Sequence, residues 1–157
     1  MTGLVNMASA APLLALLLGL LPVPSAAQSG ELAVIVHPSN SVDSLSTAKL
    51  ESIFTSSRRH WKGGRSIVAF NYEAHDSKRV AFDRAVLQMK PDEVSKFWIN
   101  QRIRGRGEPP RSVPSAKLML RVVQRLEGAI GYVPLDLARR GDVKIVAVVR
   151  NGEVEPR

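Results

Sequence analysis

The sequence predicts an α/β domain, a mixed sheet flanked by helices, and three observations support this. Short apolar runs of the kind found in buried strands alternate with segments of helical periodicity. Turn signals and helix caps separate these segments, and neither an internal repeat nor a low-complexity linker interrupts them. Residues 28–157 have the length of one domain with a substantial core. We therefore expect a single domain with helices packed on the faces of a sheet.

Four apolar runs are predicted to form the strands. The first extends from Glu31 to His37 and is broken by Pro38. The other three, in chain order, are Ile67–Phe70, Ala129–Val133 and Val143–Val149. Asn151 and Gly152 form a turn signal, and the residues after it are expected to fray.

Four helices and one short helical turn are predicted between these strands. Ser46 is the expected N-cap of the first helix, and Ser115 that of the fourth. Asp76 or Ser77 is expected to cap the second, and Pro91 to begin the third, at a position where proline is tolerated. A loop is predicted over 104–111 and the helical turn over 134–139. The predicted inward residues are Leu50, Ile53 and Phe54, then Val80, Phe82, Val86 and Leu87, then Leu118, Val122, Val123 and Leu126, and the apolar residues of the third helix are Val94, Phe97, Trp98 and Ile103.

The segment from Met1 to Ala27 is predicted to be a cleavable signal peptide. It has no charged side chain, and its apolar run is shorter than the roughly 20 residues that a transmembrane helix needs. Small residues precede Gln28, where cleavage is expected. An uncleaved anchor or a misassigned start codon is the alternative. We therefore expect a soluble periplasmic protein, and the absence of cysteine excludes disulfides and thiolate metal sites.

The charge of the chain favours anionic partners. It has 22 Lys and Arg against 14 Asp and Glu, a net charge of +8, and all of these residues lie beyond the predicted signal peptide. Such a surface suits oxyanions, anionic lipids or acidic envelope polymers. No aromatic residues alternate with the basic ones, as a groove for single-stranded nucleic acid requires, so no nucleic-acid partner is expected. The alternative is a basic, solvated surface without a specific site.

Two motifs give a more specific indication. The segment Leu50–Phe54 ends in Ile-Phe and is followed by Trp61 and by Gly63-Gly64-Arg65, and Glu127–Pro134 reads Glu-Gly-Ala-Ile-Gly-Tyr-Val-Pro. In this order they resemble the phosphate-type periplasmic substrate-binding proteins of ABC transporters. The resemblance covers about Val34 to Pro134 and implies a type 2 periplasmic-binding-protein-like lobe. Members of that family have two lobes, whereas this chain has room for one full lobe.

The resemblance implies that a small oxyanion, phosphate foremost, binds at the turn between the second strand and the second helix, without a metal or a cofactor. Helix N-termini suit anions because they offer unpaired N–H groups and the positive end of a dipole. Asn71 occupies the position at which the phosphate carriers have an Arg, and His75-Asp76-Ser77 replaces their Ser-Gly-Thr. The Asp76 carboxylate either caps the helix or competes with the anion for the N–H groups at the helix start. The predicted ligand-binding residues of the turn are Asn71, His75, Asp76, Ser77, Lys78 and Arg79.

Three further residues are candidates for the same site. Ser39 and Asn40 follow the first strand and offer a second polar loop at the carboxyl end of a strand, where open α/β sheets bind ligands. Tyr132 lines either the cleft or the core. The three histidines are widely spaced, so no metal site is expected, and no catalytic constellation stands out. We therefore expect binding without catalysis.

Two functional hypotheses stay open at this point. In the first, the protein binds a phosphate-like anion and serves uptake or sensing, with the membrane subunits of an ABC transporter or another envelope protein as partner. In the second, the lobe is an interaction module without a small ligand. It would bind a partner protein or an acidic envelope polymer through a basic face that includes Arg102, Arg104 and Arg106. The oligomeric state does not follow from the sequence.

Overall fold

The computed structural model of the chain describes residues 30–157, so the predicted signal peptide lies outside the described residues. Six strands and five helices occur in this part of the chain. None of these helices is both long enough and apolar enough to span a membrane. In chain order the elements are β1 (Leu32–Val36), α1 (Thr47–Phe54), β2 (Val68–Asn71), α2 (Ser77–Val86), α3 (Pro91–Ile103), β3 (Arg111–Ser112), α4 (Ala116–Arg125), β4 (Ala129–Pro134), α5 (Leu135–Arg139), β5 (Lys144–Arg150) and β6 (Glu153–Pro156).

The strands form one mixed sheet in the order β3-β2-β4-β1-β5-β6. β2 is parallel to β3 and β4, whereas β1 is antiparallel to both β4 and β5. All five residues of β1 are buried, as expected for a central strand that reads as a continuous apolar run. The predicted fold class, a mixed sheet flanked by helices, is confirmed.

The strand directions define two ends of the sheet. At one end, which we call the turn end, Leu32 at the start of β1 pairs with Pro134 at the end of β4. Because β2 is parallel to β4, Asn71 at the end of β2 also lies there. At the opposite end, Val36 of β1 pairs with Ile130, and Val68 of β2 with Ala129. Loops that follow β1 and β2 therefore leave the sheet at different ends.

The two sequence motifs that indicated the fold pack against each other. The Trp61 indole N–H donates a hydrogen bond to the Gly128 carbonyl over 3.1 Å. A Cβ at Gly128 would collide with the Ser66 carbonyl, and one at Gly131 with the Met119 sulfur. Gly128 is thus required for the close approach of the Ser66 backbone, and Gly131 makes room for the Met119 side chain, which agrees with a structural role for this motif.

Several predictions about single elements need correction. The residues after Gly152 do not fray: β6 pairs antiparallel with β5, so that Val154 lies opposite Val149. β3 lies at the end of the predicted 104–111 loop, because Arg111 pairs with Phe70 in a two-residue strand.

The predicted inward face of α4 also needs correction. On α4 the buried residues are Met119 and Val123, whereas Leu126 at the end of the helix is 39% exposed. Ile103, the last residue of α3, is apolar like Val94 and Trp98, but it is 79% exposed whereas those two are buried. The predicted N-caps Ser46 and Ser115 are confirmed in position; the Ser115 hydroxyl accepts the Leu118 N–H, whereas the Ser46 side chain forms no cap hydrogen bond.

Candidate functional site

The turn between β2 and α2, residues 71–79, is called here the turn site. Asp76 is the N-cap of α2, and its carboxylate accepts the Lys78 backbone N–H over 2.8 Å. The Lys78 ammonium also donates a hydrogen bond to the Asp76 carboxylate over 3.0 Å, and it lies 4.7 Å from the centre of the Tyr72 ring. The predicted N-cap is confirmed, and one N–H at the start of the helix already has an anionic acceptor.

Asn71, at the end of β2, belongs to the interior rather than to the surface. It is 2% exposed, and its side-chain oxygen accepts hydrogen bonds from the Tyr132 hydroxyl and from the Tyr72 N–H. The Tyr72 hydroxyl in turn donates to the Tyr132 carbonyl over 2.8 Å. These bonds tie β2 to β4 and satisfy the buried polar atoms involved.

Tyr132 lies in the core. It is fully buried and stacks on Phe82 of α2, with ring centroids 3.9 Å apart and planes at 3°. Tyr72 and Phe54 meet it edge-on. Burial raises the pKa of both Tyr132 and Tyr72 above the usual range, so both hydroxyls stay protonated even at alkaline pH. Of the two positions predicted for Tyr132, cleft or core, the structure supports the core.

Arg79 is held by a partner that the sequence analysis missed. Its guanidinium donates to the Asp83 carboxylate over 2.6 Å and to the Tyr72 carbonyl over 2.9 Å. Burial raises the pKa of Asp83, although the adjacent Arg79 opposes this shift. The other Asp83 oxygen is buried without a hydrogen-bond partner among residues 30–157. The four-residue spacing of the pair on one helix was the available signal.

The remaining groups of the turn site reach the surface. His75 and Ser77 are exposed, and Lys78 is partly buried beside Asp76. The turn therefore brings together four of the predicted ligand residues, His75, Asp76, Ser77 and Lys78, at the start of α2. The side chains of Asn71 and Arg79 are instead engaged in hydrogen bonds within the fold. What the surface offers an anion is a helix N-terminus with an imidazole, a hydroxyl and an ammonium group.

Ser39 and Asn40 lie at the opposite end of the sheet from the turn site. Ser39 is exposed and bonds to the His37 ring through its hydroxyl at 2.7 Å. The Asn40 side-chain oxygen accepts the Val42 N–H at 3.0 Å, and the Lys144 ammonium donates to the Asn40 carbonyl at 2.6 Å. The structure therefore does not bring this loop together with the turn. Its contacts shape the loop that leads from β1 towards α1.

A second concave region runs along the outer edge of β2, and we call it the edge groove. It encloses about 480 Å³ between residues 66–69 of the edge and the 107–111 segment. Its basic side chains are Arg58, Arg59, His60 and Arg111. Glu108 is the one carboxylate among the lining residues, and it faces Arg102 at 3.6 Å. The groove is therefore strongly cationic.

The described residues provide no grouping of three or more His, Asp or Glu side chains that could hold a metal ion. Residues 71–79 include two acidic side chains (Glu73 and Asp76) and two basic ones (Lys78 and Arg79). The turn site can thus hold an anion by hydrogen bonds from helix-end N–H groups and side chains, and only in competition with its own carboxylate.

The described part of the chain is an α/β lobe, a mixed sheet flanked by helices, and its fold is similar to that of periplasmic-binding-protein lobes. The solved structures similar to it agree with this. A proposed phosphate ABC transporter substrate-binding protein from Clostridium perfringens, solved with bound phosphate, superposes with a TM-score of 0.60 at 22% identity. An ABC-type phosphate transport receptor from Vibrio cholerae has the same TM-score and identity, and PstS from Borrelia burgdorferi reaches 0.56 at 17% identity.

These alignments cover most of this chain but less than half of each similar protein. They span 75%, 75% and 71% of this chain, against 45%, 46% and 44% of the Clostridium, Vibrio and Borrelia proteins. No protein-family model matches the chain, and no curated protein does either. The predicted resemblance to phosphate-type substrate-binding proteins is confirmed as a likeness of fold.

Proposed function

We propose that this chain is an exported, non-catalytic binding protein that takes up a small oxyanion, phosphate foremost, at the turn site. It serves ABC-type uptake or sensing in the periplasm. The signal-like composition of residues 1–27 supports export, with residues 28–157 as the mature domain. The likeness to structures of phosphate-binding transport proteins supports the choice of ligand.

The observation that carries this proposal is the surface at the start of α2. A ten-residue helix begins at Ser77 with His75 and Ser77 exposed beside it, and Lys78 adjacent. A helix N-terminus offers free N–H groups and the positive end of the helix dipole. The nearby ammonium, hydroxyl and imidazole groups supply the side-chain hydrogen bonds that an oxyanion needs.

Asp76 acts in this proposal as an internal competitor for the anion. Its carboxylate occupies the Lys78 N–H and pairs with the Lys78 ammonium. The pair is partly exposed, with 29% and 22% of the two side chains accessible, so separating it costs little compared with a fully buried pair. Phosphate binding therefore requires that the carboxylate turn away from the helix.

Isothermal titration with phosphate tests the proposal, with sulfate and chloride at matched ionic strength as controls. A saturable heat that prefers phosphate supports the proposed function. Heats that do not exceed those of the salt controls would reject phosphate as the ligand of this chain.

A second candidate function is an interaction module that binds a partner through its basic surface. The observation in its favour is the edge groove, in which Arg58, Arg59 and Arg111 form no ion pair with any carboxylate in residues 30–157. Two of the predicted basic residues lie next to it: the Arg59 guanidinium donates to the Arg106 carbonyl over 2.7 Å, and Arg102 lies 3.6 Å from the Glu108 carboxylate. Uncompensated arginines attract acidic partners.

A further inference from the structure

A third concave region, which we call the α2 pocket, lies between α2 and the turn end of the sheet. It encloses about 470 Å³, which is within the range of small-molecule sites, roughly 300–1,000 Å³. Its sheet side includes Leu32 of β1 and Val149 of β5, two buried residues that lie opposite each other in the sheet. The wall that these two strands provide is therefore apolar.

The helix side of the α2 pocket begins at the turn site. Four residues of α2 line it at the i, i+3, i+4 and i+7 spacing of one helix face, and these are Ser77, Val80, Ala81 and Arg84. Ser77, exposed at the first position of the helix, belongs to the turn site as well. Val80 and Ala81 are partly buried, and Arg84 lies about 10 Å from Ser77 along the helix axis. The pocket thus continues the turn site as an apolar stretch that ends at a guanidinium group.

The charge of the α2 pocket favours an anionic ligand. Arg84 is exposed and forms no ion pair within residues 30–157. None of the described residues that line the pocket is acidic, and Asp76, the competing carboxylate of the turn site, is not among them. An unpaired guanidinium attracts anions. A ligand with an anionic group and an apolar part therefore matches both regions, whereas inorganic phosphate would leave the apolar stretch unused.

We propose that the anion at the turn site is the phosphate group of an organic phosphate monoester whose apolar ester chain lies in the α2 pocket. The chain contacts Val80 and Ala81 on one side and Leu32 and Val149 on the other, and its transfer out of water stabilises the complex. This inference rests on the proposed function, because the phosphate group stays at the start of α2. It narrows the ligand from oxyanions in general to phosphate esters with an apolar group.

The test is isothermal titration of the purified protein with methyl phosphate and with hexyl phosphate. Both are monoesters of the same charge, so they differ only in the length of the chain. Inorganic phosphate, which has no chain, and hexanol, which has no phosphate, are the controls. We expect hexyl phosphate to bind at least about tenfold more tightly than methyl phosphate, because its additional methylene groups leave water. Hexanol should give no saturable heat.

Two matched variants locate the ester chain. Ala81→Phe fills the α2 pocket with a ring, whereas Ala116→Phe makes the same change at a partly buried position of α4 that does not line the pocket. In Ala81→Phe the affinities for the two esters should lie within about twofold of each other, because the hexyl chain then stays in water. Ala116→Phe should keep the preference of the wild type. Methyl phosphate binding by Ala81→Phe shows that its turn site is intact.

A second pocket variant changes the polarity of the wall with little change in its shape. Val80→Thr replaces a methyl group by a hydroxyl, so it should lower the preference for hexyl phosphate about threefold while leaving the affinity for methyl phosphate unchanged. This variant tests the pocket even if the larger ring of Ala81→Phe prevents folding.

The outcomes separate this inference from the proposed function. A preference for hexyl phosphate that the pocket variants reduce supports the inference. Equal affinities for the two esters overturn it and leave the α2 pocket to another occupant, while saturable binding of inorganic phosphate keeps the proposed function. A preference that persists in both pocket variants, or hexanol binding as strong as that of hexyl phosphate, also overturns the inference. If neither inorganic phosphate nor either ester binds, the proposed function fails as well.

Discussion

The turn site and the edge groove differ in whether their basic side chains are paired with carboxylates. At the turn site, Lys78 pairs with Asp76 and Arg79 with Asp83, so each cation has a carboxylate partner. In the edge groove, Arg58 and Arg59 donate to backbone carbonyls and form no ion pair within residues 30–157. Positive charge is thus compensated at the turn site and, among residues 30–157, uncompensated in the edge groove.

This difference shows why net charge alone does not locate a binding site. Asp76 caps a helix and Asp83 is buried beside an arginine, so both contribute to the fold of the turn before any ligand is present. A ligand at the turn has to displace an existing interaction, whereas a ligand in the groove meets free donors.

Tyr132→Ala should lower the free energy of unfolding by about 3–5 kcal/mol, because it empties the space between Phe82, Tyr72 and Phe54. Urea denaturation measures this. Tyr132→Phe is the matched control: it keeps the ring but removes the donor to Asn71, and should cost about 1–2 kcal/mol. If Tyr132→Ala left stability unchanged but abolished phosphate binding, Tyr132 would line a cleft instead of the core.

Asp76→Ser should tighten phosphate binding about tenfold, equivalent to about 1.4 kcal/mol, because it removes a competing acceptor and a repelling charge. Serine remains a good N-cap, so the helix should keep its stability. Isothermal titration measures the affinity, and Asp142→Ser, an exposed site at the opposite end of the sheet, controls for the change in net charge. An unchanged affinity in Asp76→Ser would place the anion elsewhere.

Asn40→Ala should lower the free energy of unfolding by about 1 kcal/mol, because the Val42 N–H loses its acceptor. Phosphate affinity should stay within about twofold of the wild type, since the Asn40 loop leaves the sheet at the opposite end from the turn site. Ser39→Ala, at an exposed position, is the control and should change neither quantity. A clear loss of phosphate affinity in either variant would contradict the separation of the two ends.

Asp83→Asn should change how stability depends on pH. Burial raises the pKa of Asp83 above its ordinary value of 3.8, so the folded protein retains this proton at a pH where the unfolded chain has lost it. The free energy of unfolding of the wild type should therefore fall as the pH rises from about 4 through the raised pKa of the folded state. Asp83→Asn should lack this component of the profile, whereas exposed Asp142→Asn should retain it. Identical profiles for wild type and Asp83→Asn would contradict the proposed burial effect.

The sequence allowed much of the fold to be predicted because the signals were local. The apolar run of β1, the N-cap Asp76 and the proline at the start of α3 each act within a few residues. The sequence did not predict β6, because Glu-Val-Glu-Pro has no buried face and its pairing depends on the neighbouring β5. β3 has two exposed residues and no hydrophobic pattern at all.

The candidate site was harder to predict because it depends on long-range geometry. Ser39 and Asn40 follow a strand end, as ligand loops do, but β1 runs antiparallel to β4, and only the assembled sheet shows this. Asn71 is polar at the end of a strand, yet Tyr132, 61 residues away in sequence, provides its buried donor. The cationic edge likewise arises where α1, β2 and the 107–111 segment meet.

Amide chemical-shift mapping by NMR tests the contrast between the two regions most directly. Titrating the labelled protein first with phosphate and then with polyglutamate should shift two separate sets of amides. We expect phosphate to shift the amides of residues 75–79 and polyglutamate to shift those of residues 58–60, 107, 108 and 111, which line the edge groove. If both ligands shifted the same set, or if phosphate shifted only the arginine-lined edge, the assignment of different ligands to the turn site and the edge groove would be contradicted.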